Sequence, residues 1–320
     1  MRLTVAGSVA CLAAASVVGV IAAGCGGVGG ASEANAVQPA VLVDTSYLAD
    51  IAQNVAGSRL EVTSLLPIGA DPHSFEPTPR DARKVAESRA VIINTPGLEP
   101  LVDALIKSAG RPDLVVIEAA AGLSGRIPQA GEVAAGADDH GLEDSAGEID
   151  PHFWLDPLKV ITYVENIEKG LSVIDPEGAE TYRLNGEAYV RRLRDLDTWI
   201  TGQVAGVPLP RRLLVTNHES LGYFADRYGF RIVGTVFPTL GVEGTPSAKQ
   251  LAALVEKIRA TRAPAIFLET GSTGDLARQV ARETGTEVVT DLYTHSLGAH
   301  ASTYLDMMRW NVNLIVEALR

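Results

Sequence analysis

The run DPEGAETYRLNGEAYVRRLRDLDTWITGQVAGVP, residues 175–208, reads as one long helix that divides the chain. Its apolar and aromatic positions, Tyr182, Tyr189, Leu193, Leu196, Ile200 and Val204, repeat with a helical period and share one face. Asp175-Pro176 opens the run, and Gly206 and Pro208 stop it. A helix of roughly 30 residues is about 45 Å long at 1.5 Å per residue, longer than one lobe. The stretch therefore predicts a stiff connector down the side of two lobes rather than a flexible hinge.

Before the connector, short runs of Val, Ile and Leu recur at Val41–Val43, Leu60–Leu66, Ala90–Ile93 and Leu114–Ile117. Between them lie helical patterns near Leu48–Val55, Pro79–Glu87 and Glu99–Ala109, the second opened by Thr78 as N-cap. Past Asp156 a further helix is expected, to about Gly170. After the connector the alternation restarts, with strands expected at Leu213–Thr216, Arg231–Val236, Ala265–Leu268 and Val288–Thr290. Helices are expected from Thr245-Pro246 through Ile258, over Gly274–Thr284, and from about Ser302, where Met308 and Trp310 read as core. Runs of this kind are buried parallel strands, and their alternation with helices predicts two doubly wound α/β lobes.

A chain of 320 residues with 46% hydrophobic content can fill two such cores, at roughly 100–200 residues per domain. The formal charge of −12, with no Lys/Arg cluster, argues against nucleic acid as a partner, because a phosphate backbone requires a basic face.

Arg2 is followed by an apolar run from Leu3 to Ala23 and then by Gly24-Cys25-Gly26-Gly27, which predicts a secretory signal. Ala22-Ala23-Gly24 before Cys25 resembles a bacterial lipobox, in which the cysteine is acylated and becomes the mature N-terminus. An uncleaved membrane helix is the competing reading, since the run is nearly long enough to span. The Gly-Cys junction and the Gly/Ala/Ser tract after it favour the anchor: signal peptide 1–24, flexible tether 25–38. Cleavage there removes Cys11 and leaves Cys25 to carry lipid, so no intrachain disulfide is expected.

Six histidines are present, and three of them fall where ligands gather in open α/β sheets, beyond the carboxyl ends of strands. His73 follows the strand ending near Leu66, His218 follows Thr216, and His295 follows Thr290. His152 sits in Asp150-Pro151-His152-Phe153-Trp154-Leu155-Asp156-Pro157, stiffened by a proline on either side. That segment also reads as a plain rigid turn feeding a helix, with Asp156 as N-cap. What favours a ligand is the same Asp-Pro-His setting at Asp71-Pro72-His73. Each lobe then offers two imidazoles to a cleft between them. Four nitrogens at about 2.0–2.1 Å suit tetrahedral Zn²⁺, whereas Ca²⁺ and Mg²⁺ want oxygen; copper and nickel remain chemically possible. Glu269 and Asp291 are candidates to orient the imidazoles through their distal nitrogens. From Gly122 to Asp150 the periodicity is lost, and Asp138, Asp139 and His140 read either as a metal-gathering loop or as a solvated insertion.

Asp71–Thr78, Pro151–Pro157, Asn217-His218-Glu219-Ser220-Leu221-Gly222-Tyr223-Phe224 and Leu292-Tyr293-Thr294-His295-Ser296 resemble the solute-binding lipoproteins of zinc and manganese ABC transporters, the ZnuA/TroA-like group. The likeness covers nearly all of the chain after Cys25. It implies an N-terminal lobe at 39–175, a connecting helix at 176–206, a C-terminal lobe at 207–320, and His73, His152 and His218 as metal ligands. At the fourth position the family commonly carries aspartate where this sequence has His295. With His295 bound, the site prefers Zn²⁺ to Mn²⁺; otherwise Asp291 or a water completes the sphere.

The resemblance implies a non-enzymatic, extracytoplasmic carrier, held at the bacterial membrane by lipid and monomeric. It would deliver Zn²⁺ to an ABC permease driven by a separate ATPase, with a zinc metallochaperone as a further partner. No phosphate-binding Gly-x-x-x-x-Gly-Lys run occurs in the chain itself. The alternatives are a manganese carrier, a metal-binding surface adhesin, and a secreted zinc hydrolase. The hydrolase needs an open coordination position. His218-Glu219 invites that reading, but Gly222 stands where a two-histidine helix motif needs its second histidine. Because imidazole must be neutral to bind metal, release is expected below about pH 6.

Overall fold

The short apolar runs become strands of two parallel sheets. The computed structural model describes residues 41–95, 100–128, 132, 149–237, 246–271 and 274–320. In the first lobe β1 (Val41–Val43), β2 (Val62–Ser64), β3 (Ala90–Ile93) and β4 (Val115–Glu118) lie in the order β2-β1-β3-β4. In the second, β5 (Leu213–Thr216), β6 (Arg231–Thr235), β7 (Ala265–Glu269) and β8 (Glu287–Leu292) repeat it as β6-β5-β7-β8. Every pairing is parallel. The order reverses between β1 and β3 and between β5 and β7, and such reversals open a crevice beyond the strand ends.

Among the described residues the helices are α1 (Ser46–Ala56), α2 (Pro79–Glu87), α3 (Pro100–Ser108), α4 (Val160–Ile174), α5 (Ala179–Val204), α6 (Gly222–Tyr228), α7 (Ala248–Thr261), α8 (Asp275–Thr284) and α9 (Tyr304–Leu319). The connector is α5. It buries Tyr182, Gly186, Tyr189, Leu193, Leu196, Ile200 and Val204 along one face and packs against α1, α4 and α9. Its regular part has 26 residues, about 39 Å at 1.5 Å per residue, shorter than the roughly 30 residues expected. The difference lies at the start. Pro176–Gly178 forms a separate 3-10 turn, with Asp175 held by Arg59 at 2.9 Å and by the Tyr182 hydroxyl.

Other departures have equally local causes. α4 begins at Val160 because Asp156 caps a loose turn, its Oδ1 accepting the Leu158 N–H at 2.9 Å. Gly170 does not end α4. It lies inside it, where a Cβ would collide with the Ile117 side chain of β4, so it serves close packing rather than termination. α7 begins at Ala248, capped by Ser247: Ser247 Oγ accepts the Gln250 N–H at 3.3 Å and Gln250 Oε1 accepts the Ser247 N–H at 2.7 Å.

The largest buried cluster runs through both lobes, from Tyr47, Trp154 and Tyr163 through Leu193 and Leu196 to Phe267, Met308 and Ile315. Polar ties cross the same boundary. The Trp154 indole donates to the Thr294 carbonyl at 2.6 Å, the Tyr304 hydroxyl donates to the Trp154 carbonyl at 2.7 Å, and Gly69 N–H donates to Ser296 Oγ at 2.7 Å. These contacts hold the two switch-point crevices facing each other. No described helix is long and apolar enough to cross a membrane.

Candidate metal centre

One local motif, used twice, supplies the first lobe's imidazoles. Asp71 Oδ1 accepts the His73 N–H at 3.0 Å, and Asp150 Oδ1 accepts the His152 N–H at 2.9 Å. Aspartate bonding the backbone two residues on makes a tight turn, and the intervening proline fixes φ. Each histidine is therefore presented on a stiffened corner. In the second lobe His218 lies just past the end of β5 and His295 just past β8, so both stand at strand carboxyl ends.

The fold brings all four histidines together, with one ligand atom from each lying within 4.8 Å of every other. His295 Nε2 is 3.0 Å from His152 Nε2 and 3.3 Å from His73 Nε2. A tetrahedron with Zn–N near 2.05 Å has edges of about 3.3 Å. His152 and His218 are fully buried, His295 is 7% exposed and His73 is half-buried. His218 Nε2 is buried without any hydrogen-bond partner, an arrangement that costs free energy unless something binds there.

Carboxylates stand behind the rings. Asp150 Oδ1 lies 2.7 Å from His152 Nδ1, while Glu269, the last residue of β7, lies 3.0 Å from His218 Nδ1 and 3.5 Å from His295 Nδ1. Thr294 Oγ1 is a further 3.0 Å neighbour of His295 Nδ1. A partner at Nδ1 fixes the ring and leaves Nε2 facing the centre.

Burial, reinforced by the neighbouring imidazoles, holds His73 and His152 far below the ordinary histidine value. At His218 burial also pulls downward, but the Glu269 carboxylate outweighs it and the value is raised. Burial would raise Glu269, yet His218 and His295 hold it well below the usual carboxylate range. Burial pushes Asp150 up to about 7, and burial together with Asp150 pushes Glu219 up to about 8.

The other residues singled out in the sequence are placed differently. Asp291 is exposed, with φ of 72°; its carboxylate accepts from the Thr290 hydroxyl at 2.8 Å and its carbonyl from the Trp310 indole at 2.9 Å, and it is not part of the cluster. Trp310 is half-buried, packed against the core cluster and stacked on His300 at 4.4 Å. Glu219 points to Arg126, 3.2 Å away. Cys25, Asp138, Asp139 and His140 lie outside the described residues. Two orienting groups escaped the sequence reading, Asp150 and Thr294. The repeated Asp-Pro-His was a signal for the first; nothing local marked the second. A cavity of 680 Å³ adjoins the cluster, walled by Asp71, Asn217, Glu269, His295 and Ser296.

Residues 41–318 match the family described as zinc-uptake complex component A, periplasmic. The chain belongs to this family. Manganese-binding lipoprotein MntA of Halalkalibacterium halodurans is 34% identical over 306 residues, covering 95% of this chain and 96% of the relative. The manganese ABC transporter substrate-binding lipoprotein PsaA of Streptococcus pneumoniae is 30% identical over 298 residues, 91% of this chain and 92% of its own length. Among solved structures, the manganese-bound periplasmic metal-binding protein of Candidatus Liberibacter asiaticus has a TM-score of 0.73 at 28% identity, covering 88% of this chain and 99% of that one. As a member of the zinc-uptake component A family, the chain is the substrate-binding component of a metal ABC transporter. It is not an enzyme, and it works with a permease and an ATPase.

Proposed function

We propose that His73, His152, His218 and His295 together bind the transported ion and that this ion is Zn²⁺. The observation that carries the reading is the donor set: four imidazoles gathered within 4.8 Å, with no carboxylate among them. Manganese favours oxygen donors, whereas nitrogen in tetrahedral array suits zinc. Asp150 and Glu269 face the far sides of the rings at Nδ1.

A manganese reading has a specific support. MntA and PsaA carry manganese in their names, and the Liberibacter protein was solved with manganese bound. His295 separates the two readings. Replacing it by aspartate should move the relative preference toward Mn²⁺, because one nitrogen donor becomes an oxygen donor; an unchanged Zn²⁺/Mn²⁺ ratio contradicts His295 as a ligand.

Our reading places the chain outside the cytoplasmic membrane, anchored through acyl groups on Cys25 after removal of 1–24, with 25–38 as tether. One acyl chain anchors weakly and two anchor stably, so a multiply acylated Cys25 keeps the carrier near its permease. Cys25→Ser should release the protein from membranes. The carrier acts as a monomer, with a metallochaperone as an additional partner, and 39–175 and 207–320 are its two lobes.

A further inference from the structure

We propose that Arg126 is a positioning residue for the metal centre, clasping the His152 arm onto the second lobe and thereby slowing metal release. The inference rests on the ligand set proposed above. Arg126 follows β4 in the first lobe, yet its side chain is 7% exposed and surrounded by carboxylates. Nη1 donates to Glu219 Oε1 at 3.2 Å, Nε to Asp226 Oδ2 at 2.9 Å and Nη2 to Glu132 at 2.6 and 2.7 Å; Asp150 Oδ2 lies 3.9 Å from Nη1. Glu219 is adjacent to His218, and Asp150 orients His152. One guanidinium thus stands between the supports of two ligands from different lobes.

The main chain repeats the connection. Asp150 N–H donates to the Arg126 carbonyl at 2.8 Å, Arg126 N–H donates to Tyr223 Oη at 2.8 Å, and the Tyr223 hydroxyl donates to the Asp150 carbonyl at 2.8 Å. A phenol from α6 therefore closes a ring of three hydrogen bonds with the two residues of the arm. Phe153, next to His152, stacks on the Tyr223 ring at 4.8 Å. Gly222 makes the approach possible: a Cβ there would collide with the guanidinium and lie 2.7 Å from Asp150 Oδ2.

On its other side the same arm is tied to its own lobe, Asn94 Nδ2 donating to the Pro151 carbonyl at 3.0 Å. Cutting the clasp therefore removes one tie between the His152 arm and the second lobe, while the Trp154 hydrogen bonds to Thr294 and Tyr304 and the Asn94 bond to Pro151 remain. Bound metal, which needs imidazoles from both lobes, then loses part of its restraint, while the metal-free fold keeps its continuous core.

The test is chelator-driven release of Zn²⁺ from the full-length mature chain, followed by stopped flow, with metal-free melting temperature measured alongside. Arg126→Gln should release Zn²⁺ at least about tenfold faster, within the range for loss of a group supporting a ligand, with association unchanged. Arg126→Lys should recover part of the effect, and Tyr223→Phe, which deletes one hydroxyl, should act in the same direction if Arg126→Gln fails to fold. Release at the wild-type rate by either variant, with loss confined to melting temperature, overturns the proposal. Wild-type protein that binds no Zn²⁺ overturns the ligand set and the clasp together; wild-type binding with unaltered variants overturns the clasp alone.

Discussion

Asp150 Oδ1 meets His152 twice, accepting its backbone N–H at 2.9 Å and lying 2.7 Å from its ring Nδ1. A single carboxylate oxygen therefore sets both the turn that presents the imidazole and the direction of its free nitrogen. Asp150→Asn keeps the turn-forming oxygen but loses the charge behind the ring. It should weaken Zn²⁺ binding by about 10–100-fold, as loss of such partners does elsewhere. Competition against a chelator of known affinity measures this; a loss below about twofold makes Asp150 a turn residue only.

The proton that competes with metal should be the one on His218. Its value is raised by Glu269 despite burial, whereas His73 and His152 sit far below the ordinary 6.5. As pH is lowered, metal affinity should therefore begin to fall while the pH is still above 6.5, earlier than a free imidazole suggests, and His73 and His152 add no competition until well below that. In the metal-free protein a raised His218 adds stability that is fully present below pH 6.5 and is lost as pH rises through its folded value. Glu269→Gln should erase that increment and move the onset of proton competition to lower pH. Zn²⁺ titrations from pH 5 to 8 check it, and an unchanged onset contradicts the pairing.

Local signals made much of this fold legible. Thr78 and Pro79 placed α2 because the cap and its partner Asp81 lie within one turn, and the runs at Val41, Ala90 and Leu213 gave β1, β3 and β5 because burial on both faces leaves only apolar residues. The four histidines were readable as a group because each follows a predicted strand or a repeated motif. What was hidden depends on distant partners. Gly170 resembles a helix stop until Ile117 is seen against it, and Arg126 is separated from Glu219 by 93 residues. Asp291 and Glu269 both sit at the end of a second-lobe strand, but only one of them faces inward.

Gly170→Ala should destabilise the protein by about 1–3 kcal/mol, the usual cost of overpacking, since the new methyl has to displace Ile117. Denaturant unfolding measures the loss. An unchanged midpoint means that α4 and β4 can part without cost.

Asp175 joins Arg59 and Tyr182 at the head of the connector, and the Arg59 hydrogen bond holds its carboxyl down at about 2. A depressed carboxylate contributes stability above its unfolded value of 3.8 that is lost as pH falls toward 2. Asp175→Asn should lower the melting temperature at neutral pH and flatten the acid dependence between those values. A wild-type acid profile in the variant contradicts a stabilising role for the pair.

Competitive titration of the metal-free mature chain with Zn²⁺ and Mn²⁺ decides whether the four imidazoles form a zinc-preferring site. A four-imidazole site binds one equivalent of Zn²⁺, keeps it against a large excess of Mn²⁺, and loses that advantage in His295→Asp. Displacement of Zn²⁺ by comparable Mn²⁺ in the wild-type chain contradicts it.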